Sequence, residues 1–184
     1  MSQNSPLAIE DRLMSQNSHL VLKTAIIQTC RALEKLGYVV GMWGNVSARV
    51  PEGMIVTPTR LGYDVMTTDD FVTVALDGTV VSGHRLPSSE TSVHRLILKK
   101  KIDVGAVIHC HSPYATAVSC LRRPIPAFVE DFAQIVGGPV SCTRYVPAGR
   151  HEKIAEEVVN TIGEVNAVLL ANHGMFCCGR TLPE

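Results

Sequence analysis

The sequence predicts an α/β protein layered helix, sheet, helix, with a sheet that is not purely parallel. Three observations carry this. Amphipathic 3.6-period stretches alternate with short β-branched runs, so helices and strands mix along the chain. Asp77-Gly78, set between two such runs, is a strong hairpin signal and requires antiparallel neighbours. At 184 residues, one domain with a real core is the natural reading.

The elements follow in order. Asn17 or Ser18 can cap a helix with apolar positions Leu22, Ile26, Cys30 and Leu33, stopped by Gly37. Trp43-Gly44-Asn45 makes a bend. Short strands are expected at 46–50 and 54–57, then a hairpin from 71–76 and 79–82. Ser88 or Ser89 can cap a helix running to about Lys100. Lys99-Lys100-Lys101 would complement its C-terminal dipole. A buried strand follows at 104–109, and Pro113 opens a helix to Leu121. A shorter helix is expected over 127–135, an amphipathic one over 152–162, and a buried strand over 165–171. The turn Asn172-His173-Gly174 leads into a strand at 175–178.

Composition removes several function classes. Lysine and arginine total 17, aspartate and glutamate 17, and no basic stripe exists, which argues against a nucleic-acid partner. No apolar stretch approaches the ~20 residues of a membrane span, and the N-terminus lacks the pattern of a signal peptide. A cytoplasmic protein is expected. None of the six cysteines forms Cys-x-x-Cys, so free, mostly buried thiols are expected. Met1-Ser-Gln-Asn-Ser5 recurs as Met14-Ser-Gln-Asn-Ser18, too short for a structural repeat; it is read as an extended start or a cloning remnant. Residues 1–17 are expected to form an extension without fixed structure, and residues 18–184 the domain.

The chemistry concentrates at His109-Cys110-His111. Residues i and i+2 of a strand face the same side, so two imidazoles project together where a buried strand meets solvent. That is a ready metal chelate, although two inert hydrogen-bonded histidines would look the same. His173 also sits just past a buried strand. Glu90 stands at a helix start, where a carboxylate is favoured by the dipole alone. Three histidines and a glutamate complete a tetrahedral set, or leave one position open if Glu90 withdraws. His94, four residues after Glu90, is read as a packed or supporting histidine because four ligands are already supplied. Trp43 is read as core or interface.

Taken together, Gly44-Asn45-Val46-Ser47, Thr57-Pro58-Thr59, Pro87-Ser88-Ser89-Glu90, His109-Cys110-His111 and Asn172-His173-Gly174 resemble the class II aldolase/adducin family. The resemblance runs from about residue 19 onward. It implies a three-layer α-β-α fold with a central mixed, largely antiparallel sheet. It implies a zinc site (other divalent transition metals such as manganese or cobalt being alternatives) on His109, His111 and His173. Glu90 would both bind metal and move protons. It implies phosphate contacts from Gly44, Asn45, Thr59, Ser88 and Ser89. The activity implied is aldol cleavage of a small ketose 1-phosphate, of the L-fuculose 1-phosphate kind, to dihydroxyacetone phosphate and an aldehyde through a metal-stabilised enediolate. Homotetramers with sites at subunit interfaces are also implied, as is a further C-terminal segment that helps close the site.

Other enzymes on this scaffold are rivals: a ribulose-phosphate 4-epimerase, a decarboxylase or a dehydratase. A non-catalytic adducin-like module is a further one, which the filled ligand set opposes. Three positions depart from the family pattern. Met42 stands where a small hydroxyl residue is usual. Arg60 replaces a glycine after Thr-Pro-Thr, where it could pair with an anion. Glu130, followed by Asp131, falls where a neighbouring subunit would deliver a catalytic tyrosine, so these two carboxylates become candidates for the second proton-transfer group.

Overall fold

The fold was analysed in a computed structural model that describes residues 6–184, with side chains from residue 17 onward. The first Met-Ser-Gln-Asn-Ser copy lies outside the described residues. Helix α1 spans Pro6–Lys35. It therefore begins well before Asn17 and Ser18, which lie inside it rather than cap it. Nothing between residues 7 and 35 is glycine or proline, so the polar Ser-Gln-Asn-Ser run offers no stop signal. The stop at Gly37 is as expected. Its φ is 72°, and the Tyr38 N–H reaches back to the Leu33 carbonyl (2.9 Å), a Schellman closure that only a residue at ease in the left-handed region permits.

The strands are β1 (Asn45–Val50), β2 (Gly53–Val56), β3 (Val72–Val74), β4 (Val80–Ser82), β5 (Ala106–Cys110), β6 (Ala167–Leu170) and β7 (Gly174–Gly179). They form one sheet in the order β4-β3-β2-β1-β5-β7-β6. Every named pair is antiparallel. Among the described residues the parallel contribution is a single bridge, Cys142 to Leu169. Helices α2 (Thr91–Lys100) and α5 (His151–Ile162) cover one face, and α1, α3 (Pro113–Cys120) and α4 (Glu130–Val136) the other.

Strand alternation explains this layering. In β6, Val168 and Leu170 pack with Ile154 and Val158 of α5, whereas Ala167 and Leu169 pack toward α3 and Val140. In β1, Val46 and Ala48 meet Ile26 and Cys30 of α1. Asn45 and Ser47 therefore point the opposite way, toward α2, and both are buried.

Helix α2 starts one residue later than the serines suggested. Its cap is Glu90, and neither Ser88 nor Ser89 caps it by a side-chain hydrogen bond. Ser88 Oγ instead accepts from the Glu90 N–H (3.3 Å), an intraloop contact that turns the carboxylate inward. At the other end of α2, the Arg49 guanidinium donates to the carbonyls of Leu98 in the last turn, of the C-cap Lys101 and of Val104 in the loop beyond. All six cysteines are free; Cys30 and Cys110 are buried as expected, but Cys120 is exposed. Among the described residues no helix is long and apolar enough to cross a membrane.

Asp70 carries a pH-dependent share of stability. It is buried, accepts from the Thr67 N–H and hydroxyl (both 2.8 Å), and pairs with Arg85. Burial alone would raise its pKa; the Thr67 N–H, the Arg85 guanidinium and the Thr67 hydroxyl outweigh that and bring it to about 2. A depressed carboxylate stabilises the fold above its unfolded value near 4 and loses that contribution as pH falls toward 2. At pH 7 the linkage is worth about 2 kcal/mol. Urea unfolding should show Asp70→Asn weaker than wild type at pH 7, and the gap should shrink steadily between pH 4 and pH 2.

Candidate active site

Antiparallel register brings the site together. Asn45 of β1 lies opposite His109 of β5, and His109 opposite Phe176 of β7. The His109 ring stacks on Phe176 (4.5 Å between centroids, 26° between planes). Its Nδ1 lies 2.9 Å from the Met175 carbonyl. A carbonyl only accepts, so the proton sits on Nδ1 and the Nε2 lone pair is free to face the cavity. His111 continues past the strand end, where its N–H donates to the Tyr38 carbonyl (2.8 Å). The two Nε2 atoms stand 3.0 Å apart. His173 arrives from the β6–β7 turn, which Asn172 makes with a left-handed φ of 61°. One ligand atom from each of the three histidines lies within 4.8 Å of the others.

Gly174 closes this corner for a steric reason. A Cβ there would stand 2.6 Å from His111 Cδ2 and 2.7 Å from the Cys110 carbonyl, too close for any other residue. Gly44 plays the same part on the opposite side, against Val39 and the His109 carbonyl.

Glu90 completes the cluster. Its Oε2 lies 3.3 Å from His109 Nε2 and accepts from Asn45 Nδ2 at 2.8 Å. Its Oε1 is buried, has no hydrogen-bond partner, and lies 4.0 Å from His173 Nε2. Burial opposes the ionised carboxylate, but the His109 imidazole and the Asn45 amide outweigh it, so Glu90 stays below the ordinary carboxylate range. Burial lowers His109, against the pull of the Glu90 carboxylate. Burial, with His109 and His173 alongside, brings His111 down to about 4. His109 and His111 are thus neutral and able to donate lone pairs at neutral pH. His94 is buried and touches Asn45 rather than the open centre, as a supporting histidine should.

A second loop system lies beside the cluster. Pro58 bridges Pro87, the Thr59 N–H donates to Leu86, and the Ser88 N–H donates to Thr57. This clasp sets Thr59 and Arg60 next to Ser88 and Ser89. Arg60 has a φ of 58°, a conformation in which glycine is at ease and arginine is strained by roughly 1–2 kcal/mol. That geometry accounts for the glycine the resemblance led one to expect there.

One cavity of about 510 Å³ joins both systems. Gly44, Asn45, Thr59, Arg60, Ser88, Ser89, Glu90, His109, His111 and His173 all line it. The Asn45 side chain, though, turns to Glu90 and His94 instead of toward the Thr59 loop. Trp43 is neither core nor buried; it stands 69% exposed at the rim, edge-on to His111. Glu130 and Asp131 are not on this cavity. They sit exposed on α4, where Glu130 accepts from Gln134 (3.2 Å), so a single chain does not bring them to the histidines.

Sequence reading missed the outer wall, formed by Thr143–Val146 and by His151, Ile154 and Glu157. Thr143 anchors it by donating its N–H to Leu169 and accepting from the Ala171 N–H at its hydroxyl. The helix that carries Ile154 and Glu157 was expected, but residues 143–148 have no period and no motif to mark them as a wall.

Comparison with known proteins agrees with this geometry. The family described as Class II Aldolase and Adducin N-terminal domain matches residues 24–184. An L-fuculose phosphate aldolase of Haemophilus influenzae is 38% identical over 163 residues, covering 89% of this chain and 74% of the relative. A 5-methylthioribulose-1-phosphate/5-deoxyribulose-1-phosphate aldolase of Rhodospirillum rubrum is 36% identical over 165 residues, covering 90% and 74%. A solved L-fuculose 1-phosphate aldolase superposes with a TM-score of 0.82 at 32% identity, covering 88% of this chain and 78% of that one. With its sheet order, histidine cluster and glutamate in place, the chain belongs to the class II aldolase/adducin family and resembles that family's lyases, the L-fuculose phosphate aldolases.

Proposed function

We propose that this protein is a metal-dependent aldolase that cleaves a small ketose 1-phosphate to dihydroxyacetone phosphate and an aldehyde. One observation carries the reading: three imidazoles and a buried glutamate converge in a cavity whose neighbouring wall carries Thr59, Arg60, Ser88 and Ser89. The donor set fits a divalent metal. His109 has its proton committed to Met175, and Glu90 Oε1 is an acceptor left without a partner inside the protein. His109, His111 and His173 would hold the ion, with zinc the best match to nitrogen donors and Glu90 adjoining it. When bound, it supplies Lewis-acid stabilisation of negative charge on the substrate.

The protein's own residues do the rest. Thr59, Arg60, Ser88 and Ser89 hold the phosphate, with backbone N–H groups of the Gly44-Asn45 bend beside them. Glu90 Oε1 is the oxygen that takes and returns a proton, since Oε2 is already engaged by Asn45. The exposed Glu130 and Asp131 serve a neighbouring subunit's cavity in this reading, within a homotetramer. The test is to measure metal content and then dihydroxyacetone phosphate release from L-fuculose 1-phosphate and 5-deoxyribulose 1-phosphate. Stoichiometric metal with release from either supports the reading. Metal-loaded protein inert toward a full ketose 1-phosphate series overturns it.

Arg60 is a phosphate reader in this proposal. A charge-assisted contact of roughly 1.5–3 kcal/mol predicts that Arg60→Ala lowers kcat/KM for the phosphorylated substrate about 10- to 100-fold. The unphosphorylated analogue should be unaffected. Alanine keeps the left-handed strain, so the comparison isolates the charge. Equal losses on both substrates would remove Arg60 from the anion site.

A further inference from the structure

Glu90 is the end of a buried chain of hydrogen bonds. Asn45 Nδ2 donates to Glu90 Oε2 (2.8 Å), Asn45 Oδ1 meets His94 Nε2, and His94 Nδ1 lies 2.7 Å from Ser47 Oγ. The direction of each bond is forced. An amide oxygen only accepts, so the His94 proton sits on Nε2. His94 is wholly buried, where the charged form of the ring is penalised, so the ring is neutral. A neutral ring protonated at Nε2 has only a lone pair at Nδ1, so the Ser47 hydroxyl donates. Every donor in the series therefore points along the chain toward Glu90.

Register and helical spacing build this series. Asn45 and Ser47 are i and i+2 on β1, both facing α2. Glu90 and His94 are i and i+4 on the facing helix start. Neither Ser47 nor His94 lines the cavity, and both have zero exposure. Their polar atoms point at one another and at Asn45, not at a ligand.

We propose that Ser47 and His94 are positioning residues that lock the Asn45 amide with its NH₂ toward Glu90. An asparagine amide turned by half a rotation fills the same space. In that state Asn45 Oδ1 would oppose Glu90 Oε2, and the carboxylate would lose its anchor. The Nε2–H of His94 excludes the turned state, and the Ser47 hydroxyl, by donating to Nδ1, adds to the preference for that tautomer. The consequence is a division of labour within one carboxylate: Oε2 is held, and Oε1, without a partner, is free to exchange the proton. This inference rests on the reading of Glu90 as the proton-moving group.

The test uses the full chain loaded with zinc, and L-fuculose 1-phosphate as the probe substrate. Imidazole nitrogen NMR on histidine-labelled protein, with His94 assigned by its absence in His94→Gln, should show the Nε2-protonated tautomer in wild type. Ser47→Ala should measurably weaken that preference and lower kcat about 10-fold or more, while KM and zinc content stay within about 2-fold. His94→Gln, whose amide N–H can replace the lost donor, should retain about 10-fold more kcat than His94→Leu. A tautomer change in Ser47→Ala with kcat intact overturns the proposal, as does an unchanged tautomer, or His94→Gln falling as far as His94→Leu. Should His94→Leu fail to fold, Ser47→Ala decides alone. A fully active Glu90→Gln protein would instead sink the proton-transfer reading, whatever the tautomer spectrum shows.

Discussion

Glu90→Gln should cut turnover by roughly 10²–10⁴-fold, the range of general acid–base groups, while the protein stays folded. Glutamine preserves shape and can still sit beside Asn45, so packing around α2 changes little. What disappears is the basic oxygen. Oε1 is buried, has no partner inside the protein and lies 4.0 Å from His173 Nε2. Stopped-flow turnover measured beside metal content separates the roles: metal retained and kcat lost marks proton transfer, whereas parallel loss of both marks a ligand. Near-normal turnover would reduce Glu90 to a helix-start residue.

His111→Ala should abolish metal binding and activity together. His111 is one of three nitrogen donors, and its ring also supports Trp43 and packs against the Gly174 backbone position. Elemental analysis should find metal in wild type and none above background in the variant; full occupancy there would rule the site out. The pH dependence follows from the same burial. Protons compete with metal for the imidazole lone pairs. Because burial depresses His109 and holds His111 near 4, their nitrogens stay unprotonated below the ordinary histidine value of about 6.5. Metal titrations should therefore show affinity persisting at pH 6 and failing only further into acid.

Much of this site was legible because two simple periods govern it. The i, i+2 rule put His109 and His111 side by side, and a glycine turn after a buried strand placed His173. The hairpin signal at Asp77-Gly78 and the proline at the start of α3 were equally local. The readings that shifted depend on partners far away in sequence. Ser88 and Ser89 looked like caps, but Pro58 across the loop pins that backbone so that Glu90 takes the cap position. Asn45 read as a phosphate donor; its side chain is claimed by Glu90 and His94, which no local pattern reveals. Arg60 shows as a departure in sequence, yet its left-handed backbone is visible only in three dimensions. The wall segment at 143–146 is anchored by Thr143 to Leu169 and Ala171, distant partners that no local pattern reveals.

Strand β7 follows every other strand in the chain yet is inserted between β5 and β6. The order in which the molecule can be finished follows from that. While a nascent chain still lacks residues 174–179, the edge of β5 stands open and apolar, a template for wrong pairing. The Met175 carbonyl that sets the His109 tautomer, and the His173 ring beside it, arrive with this same late hairpin. Long-range closure of this kind is slow relative to local helix formation. The capacity to capture a metal is therefore acquired only once the β6–β7 hairpin has closed against β5, and a metal would bind that completed sheet and not its intermediates.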